Sequence, residues 1–211
     1  MSWEMDYKKK LRTAEEALRC VQSGMRVYIQ PGCAEPETLV EALMQRGPHV
    51  EDVEIVHMLT FGVAPYVAPE MAGHFRHNAM FIGANVRDAI NDGRADYTPI
   101  YLSEIEGLFE SGSMPLDVAL VQVSPPDAHG FCSFGVGVDT TLTAAKQARY
   151  VVAQVNDQMP RTYGDSFIHV SQIHAFVESS RPLCELPPPE ITDLHIAIAR
   201  NVASLIDDGA V

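Results

Sequence analysis

Arg26-Val-Tyr-Ile-Gln-Pro-Gly-Cys-Ala-Glu-Pro-Glu-Thr-Leu-Val-Glu-Ala-Leu-Met-Gln45 carries the pattern from which the fold follows. Arg26–Ile29 is a short apolar strand. The chain turns through Gly32, and Pro36 then opens a helix, where its fixed φ suits the first turn and the acids beside it favour the positive end of the helix dipole. Gly47-Pro48 stops that helix, and Val53–Met58 follows as a second apolar strand. Strand, crossover helix, strand is the unit of a parallel sheet.

The same alternation continues in both directions. Upstream, Thr13-Ala-Glu-Glu has the form of a capping box and opens a helix over Ala14–Gln22 that Gly24 ends. Downstream, strands are expected at Ala79–Ile82, Tyr97–Ile100, Asp117–Val123, Phe131–Val136, Tyr150–Val155 and Ile173–Phe176. Helices are expected at Val86–Asn91, Ser103–Glu110, Asp139–Ala148 and Glu190–Leu205, the last with Ile191, Leu194, Ile198 and Val202 on one face. The fold class is therefore α/β, a largely parallel sheet covered by helices on both faces. Prolonged loop signals occur only at Thr60–Glu70, Ser124–Gly130 and Pro182–Pro189, and no repeat or low-complexity tract interrupts residues 1–211, which read as one domain. Ile206-Asp-Asp-Gly-Ala-Val reads as a turn entering a further strand that is begun and not finished, the pattern of a fragment.

With 46% hydrophobic residues in 211, the chain can bury a sizeable core. Fifteen Lys and Arg against 28 Asp and Glu give a formal charge of −13, which disfavours nucleic acid and acidic lipid as general partners. No Lys or Arg lies between Arg94 and Lys146, so an anion bound by that stretch would rely on backbone N–H groups. No apolar run approaches a bilayer span, and Met1–Arg12 is polar without a signal-peptide core; a cytoplasmic protein is expected. Cys20, Cys33, Cys132 and Cys184 are scattered and read as reduced thiols.

Candidate chemistry concentrates where strands end. Ile29-Gln-Pro-Gly-Cys-Ala-Glu-Pro delivers backbone amides to the mouth of the Pro36 helix, where they can hold an anion or polarise a carbonyl; an ordinary βα turn has the same form. Val123-Ser-Pro-Pro-Asp-Ala-His-Gly-Phe is stiff enough to wall a site, or to turn at a sheet edge. Gly135-Val-Gly137 precedes a helix, but Thr140 stands where a dinucleotide fingerprint wants glycine, and Ser133 has only half a nucleophile elbow. His74-x-x-His77 has helix-compatible metal spacing without further ligands, so no metal is expected. His57 and His169 read as core or loop histidines unless they sit at strand ends, and Cys33 and Cys132 lack a recognisable His or Asn partner.

Two stretches carry a resemblance. Val121-Gln-Val-Ser-Pro-Pro-Asp-Ala-His-Gly-Phe-Cys-Ser-Phe-Gly-Val-Gly-Val-Asp139 and Asn156-Asp-Gln-Met-Pro-Arg-Thr-Tyr-Gly-Asp-Ser-Phe-Ile-His-Val-Ser171 resemble the acetyl-CoA hydrolase/transferase family, which includes 4-hydroxybutyrate and butyrate:acetate CoA-transferases. The resemblance implies two similar α/β domains, of which residues 1–211 are the first, assembled into a homo-oligomer. It implies that the catalytic Glu lies on the second domain and that no catalytic residue is on this chain. A coenzyme A thioester and a short-chain carboxylate are then substrates, with no permanently bound cofactor. By match to the family pattern, the turn Gln30–Glu35, within it Gln30, Gly32, Cys33 and Ala34, and the loop carrying Met159 and Arg161 line the acyl pocket. Gln30-Pro31-Gly32 departs from the Gly-His-Ala turn of some members, which transfers the expected role to the amides of Gly32 to Ala34. Arg161 pairs either with a substrate carboxylate or within a structural ion pair. An acyl-CoA hydrolase and a non-catalytic binding or assembly domain of the same fold are the competing functions; a sugar-phosphate isomerase of related fold is disfavoured by the cation-free centre.

Overall fold

A computed structural model describes residues 2–185 and 187–210. Met1, Leu186 within the expected 182–189 loop, and Val211 at the end of the strand expected after Asp208 lie outside the described residues.

In chain order the elements are α1 (Trp3–Lys10), α2 (Ala14–Ala17), β1 (Arg26–Ile29), α3 (Glu37–Arg46), β2 (Val53–His57), β3 (Phe75–Ala79), α4 (Arg87–Asn91), β4 (Asp96–Tyr97), α5 (Leu102–Glu110), β5 (Val118–Val123), β6 (Phe131–Ser133), α6 (Thr141–Gln147), β7 (Tyr150–Val155), β8 (Phe167–His169), β9 (Ala175–Glu178) and α7 (Asp193–Ala203). Seven strands form one sheet in the order β4-β3-β2-β1-β5-β7-β9, and its pairings are all parallel. The chain leaves β1 toward β2, β3 and β4, then returns to place β5 on the other side of β1. The gap between β1 and β5 is thus a topological switch point, where ligands of open parallel sheets bind.

Alternation within each central strand shows why both faces are covered. Val27, Ile29, Val118, Leu120 and Val152 point into one core with Leu39 and Leu43 of α3 and Leu18. Tyr28, Ala119, Val121, Val123, Val151 and Ala153 point into the other, with Ile105 and Phe109 of α5 and Ala144 of α6. A strand apolar at every position is one buried on both sides.

Several boundaries differ from the sequence reading. The strand expected at Ala79–Ile82 is displaced to Phe75–Ala79, because Phe75, His77 and Ala79 face inward near the sheet edge while Arg76 is exposed. Phe131–Val136 stops at Ser133 and pairs antiparallel with β8 outside the main sheet. The Thr13 capping box is present, yet the α-helix that it opens is only Ala14–Ala17 before tightening to a 3-10 turn over Leu18–Cys20. The polar N-terminus forms α1, whose Trp3 and Tyr7, with Leu11 beyond it, pack on the core at helical spacing; the Tyr7 and Phe176 rings meet at a tilt of 46° with centroids 4.6 Å apart.

Among the described residues no helix is long and apolar enough to cross a membrane. α7 is capped by Thr192 but buries none of its residues, and Ile191 (75% exposed), Leu194 (67%), Ile198 (51%) and Val202 (54%) leave an apolar stripe in solvent. Ile198→Lys should accordingly leave the unfolding free energy of the chain within about 0.5 kcal/mol, as surface changes do. It should also weaken any concentration-dependent association seen by sedimentation. A large loss of stability in the monomer would contradict the exposed placement of α7.

Candidate functional site

Each of three central strands reaches its carboxyl end with an amide side chain: Gln30 after β1, Gln122 in β5 and Gln154 in β7. All three are buried, and register places Gln122 beside Gln154. Gln30 accepts the Gln122 N–H at Oε1 (2.5 Å) and donates from Nε2 to the Gly137 carbonyl (2.8 Å). Gln122 donates to the Glu35 carbonyl (3.1 Å) and accepts from Gln154 Nε2 (3.1 Å) and Asn156 Nδ2 (2.8 Å). Gln154 Oε1 then accepts the backbone N–H of Thr38 (3.0 Å). Pro36 at the start of α3 offers no side-chain cap, so an amide from β7 satisfies one of the helix's free N–H groups.

This ladder holds the turn 30–35 over the switch point. Gly32, Cys33, Glu35, Gly62, Gln122, Gln154 and Arg181, with Pro182 to Cys184, line a pocket there, and Glu35 and Gly62 also line an adjoining pocket with Phe61 and Val63. Glu35 is the chemically distinctive member. The residue is 5% exposed, and its carboxyl group accepts the Gly62 N–H at 3.0 Å and hydrogen-bonds the Thr60 side chain. Burial, reinforced by the Glu37 charge, pushes its pKa up to about 7 against these donors.

Behind Glu35 a polar chain runs inward. The Tyr66 phenol meets the Thr60 side chain and lies 2.6 Å from His57 Nε2, and the His57 ring stacks on His77 with centroids 4.1 Å apart. His57 does end β2, but burial holds its pKa well below that of a free imidazole. His77 lies on β3 with Nδ1 on the Ile55 carbonyl, while His74 Nδ1 meets the Val50 carbonyl. The helix on which a metal-binding i,i+3 pair depended is absent at these positions, and the described residues contain no cluster of three metal ligands.

The other expected site residues fall in three groups. Gly32 and Cys33 face the pocket, but the Gly32 N–H is donated to the Leu59 carbonyl at 2.6 Å, so it is not a free oxyanion donor, which corrects the expectation for that amide. Gln30 and Ala34 lie fully buried beneath the turn, supporting it. Met159 is buried against Gly135, where an added Cβ would stand 2.1 Å from its sulfur. Arg161 pairs with Asp127 (3.0 Å), donates to the Phe131 carbonyl (3.0 Å) and lies over the Phe167 ring, bracing the Ser124–Gly130 loop. Ser133 Oγ accepts the Gly135 and Thr162 N–H groups, and burial pushes the Cys132 thiol up to about 12, so neither is an activated nucleophile. Of the ladder only Gln30 was named from sequence, and Glu35 only as the end of its turn; Gln122, Gln154 and Asn156 were not singled out, although a lone glutamine near the end of an apolar strand recurs in RVYIQ, VALVQV and YVVAQV.

Fold and site together define a parallel α/β domain presenting a polar pocket at its strand-order reversal. The chain belongs to the acetyl-CoA hydrolase/transferase family, whose N-terminal domain model matches residues 1–187. Over its whole length it is 51% identical to the 4-hydroxybutyrate coenzyme A transferase of Clostridium kluyveri, of which it spans 49%. The solved 4-hydroxybutyrate CoA-transferase of Porphyromonas gingivalis superposes with a TM-score of 0.84 at 36% identity, covering 99% of this chain and 48% of that one. RipA from Yersinia pestis does so with a TM-score of 0.89 at 30% identity, over 99% of this chain and 51% of its own. The chain thus spans about half the length of the curated relatives that it matches.

Two measurements test the site. Gln122→Leu removes a group that satisfies two amide donors and one carbonyl, and should cost about 3 kcal/mol in urea unfolding; a cost below about 1 kcal/mol would reduce the ladder to incidental contacts. Because the folded Glu35 holds its proton up to about pH 7, its contribution to stability is complete below the unfolded carboxylate range and is lost as pH rises through 7. Glu35→Gln should therefore gain roughly 2 kcal/mol relative to wild type on going from pH 5 to pH 8, and parallel pH profiles would show that the carboxyl is ionised throughout.

Proposed function

We propose that residues 1–211 form the first of two similar α/β domains of a CoA-transferase, which exchanges CoA between a short-chain acyl-CoA and a carboxylate of the acetate, butyrate or 4-hydroxybutyrate class. The observation that carries this reading is a polar pocket at the β1/β5 switch point of a chain that belongs to this family. The exposed apolar face of α7 supports a second domain as its cover. The setting is the cytoplasm and the assembly a homo-oligomer, with the four cysteines as free thiols.

In this reading a Glu carboxylate on the second domain attacks the thioester carbon and expels CoA as a thiolate, leaving an acyl-glutamyl anhydride. The thiolate then attacks the glutamyl carbonyl and releases the first carboxylate; the acceptor carboxylate attacks the glutamyl-CoA thioester and expels the thiolate, leaving a second anhydride whose acyl carbonyl the thiolate attacks, which gives the new acyl-CoA and frees the Glu carboxylate. Two covalent steps replace one difficult exchange. An anhydride is high in energy, so the site must stabilise oxyanions and draw on binding of the remote part of CoA.

The present chain supplies a wall. The Gln30–Glu35 turn, with Gly32 and Cys33 at the surface and Gln30 and Ala34 beneath, borders the acyl group, and the amide of Cys33 is its donor. Met159 and Arg161 hold the neighbouring loop in place. With no Lys or Arg from 95 to 145, CoA phosphates are gripped elsewhere.

The two-domain protein should show ping-pong kinetics between acetyl-CoA and butyrate, and a CoA adduct on a Glu peptide trapped during turnover. Residues 1–211 alone should show no turnover. Enzyme-dependent transfer by the isolated chain that survives loss of Cys33 and Cys132 would refute the placement of the nucleophile.

A further inference from the structure

We propose that Cys33 and Cys184 are a peroxide-sensitive dithiol that closes to a disulfide and staples the coil after β9 to the turn 30–35. This is a modification site beyond the CoA-transferase reading, and only its effect on turnover rests on that reading. The two thiols hydrogen-bond one another at the pocket that both residues border. That pocket has a volume of about 10 Å³, space for about one water molecule, so it is a seam between two chain segments. Asn156 Nδ2 donates to the Arg181 carbonyl (2.8 Å), Arg181 pairs with Glu37 (2.9 Å) and Glu41 (2.9 Å), and the Ser179 and Thr38 hydroxyls meet at 2.8 Å, all of which hold the coil against the seam. Pro182 and Pro187 to Pro189 stiffen it on either side of Cys184. Two sulfurs already held in contact lose little freedom on bonding, whereas the unfolded chain would have to close a loop of about 150 residues.

The other two cysteines are of a different kind. Cys20 donates its thiol to the Ala17 carbonyl at 3.1 Å and burial pushes it up to about 11, and Cys132 is fully buried. Cys33 and Cys184 are both half-buried, within reach of a small oxidant. Burial, then Cys33, then the Glu37 and Glu35 carboxylates raise the pKa of Cys184, so Cys33 reacts first and Cys184 resolves. The Cys33 thiolate attacks one oxygen of hydrogen peroxide; the O–O bond breaks, hydroxide leaves and takes up a proton as water, and Cys33 becomes a sulfenic acid. The Cys184 sulfur then attacks the Cys33 sulfur. An S–S bond forms as the S–O bond breaks, and the departing hydroxide leaves as a second water with the Cys184 proton. The sulfurs have given up two electrons and the peroxide has taken them. The bridge fixes the turn that carries the Cys33 amide, and an external thiol reopens it by exchange.

The test treats the full two-domain protein with hydrogen peroxide, alkylates the remaining thiols under denaturing conditions and digests it without reductant. A disulfide-linked peptide pair carrying Cys33 and Cys184 should appear in mass spectra and vanish after dithiothreitol, with Cys20 and Cys132 recovered as alkylated thiols. CoA transfer should fall about tenfold or more in step with the linked pair and return with dithiothreitol. Cys184→Ser, shown to be folded by circular dichroism, should lose both responses, its peroxide-treated rate staying within about twofold of its own untreated rate. Cys33 and Cys184 recovered unlinked after peroxide, whether as free thiols or singly overoxidised, would overturn the proposal. So would a linked pair whose complete formation leaves transfer unchanged. A protein that transfers no CoA even when reduced is a failure of the CoA-transferase reading instead, and the linked pair then upholds or overturns the dithiol by itself.

Discussion

A row of side-chain amides crosses the carboxyl ends of β1, β5 and β7, and the candidate site depends on it. An amide is one of few uncharged groups that can accept and donate at once, so it can pass hydrogen bonds from strand to strand where the backbone ladder is ending. Gln154 to Gln122, Gln122 to the Glu35 carbonyl, and Gln30 to Gly137 tie together residues 32, 87 and 107 positions apart in the chain. In surroundings this dry each bond is worth more than at the surface, and each missing partner costs more. The same bonds that steady the 30–35 turn also cap α3, because Pro36 leaves that helix without a side chain to meet Thr38.

The ladder explains how a carboxyl group can be kept at the floor of the site without its charge being neutralised by a cation. Glu35 is held by neutral donors on one side, and its own carbonyl is fixed by Gln122 on the other. Such a setting leaves desolvation uncompensated and raises the pKa, whereas a close Arg would have lowered it. Arg181 is spent on α3 instead, which joins the segment after β9 to the helix whose first turn borders the pocket.

How much of this was legible in the sequence follows from which interactions are local. β1 and β7 fall where the apolar runs place them, since a strand buried on both faces leaves no polar position to blur its ends. β3 was displaced because a strand near an edge carries polar residues, which read as loop. α1 was missed because the stripe of Trp3, Tyr7 and Leu11 is three residues in a charged segment, too few to announce a helix without Phe176 to pack on. β8, three residues long, exists through its pairing with β6 from an earlier part of the chain. The turn 30–35 was legible from its glycine and from the proline that starts the helix. The engagement of the Gly32 amide was not, because its acceptor, Leu59, follows a neighbouring strand.

Glutamines 30, 122 and 154 occupy the middle ground between what the sequence shows and what the fold decides. Taken one at a time, a glutamine near the end of an apolar strand is an unremarked polar residue. Taken together, three of them on strands that a parallel topology makes neighbours form a continuous element, and a buried amide is tolerable only when such partners exist. The strand order makes them adjacent: β1, β5 and β7 lie side by side only because the chain reverses its direction of growth after β4. The reversal that opens the pocket between β1 and β5 is therefore the same event that assembles the ladder beneath it, and the site and its support cannot be separated in this fold.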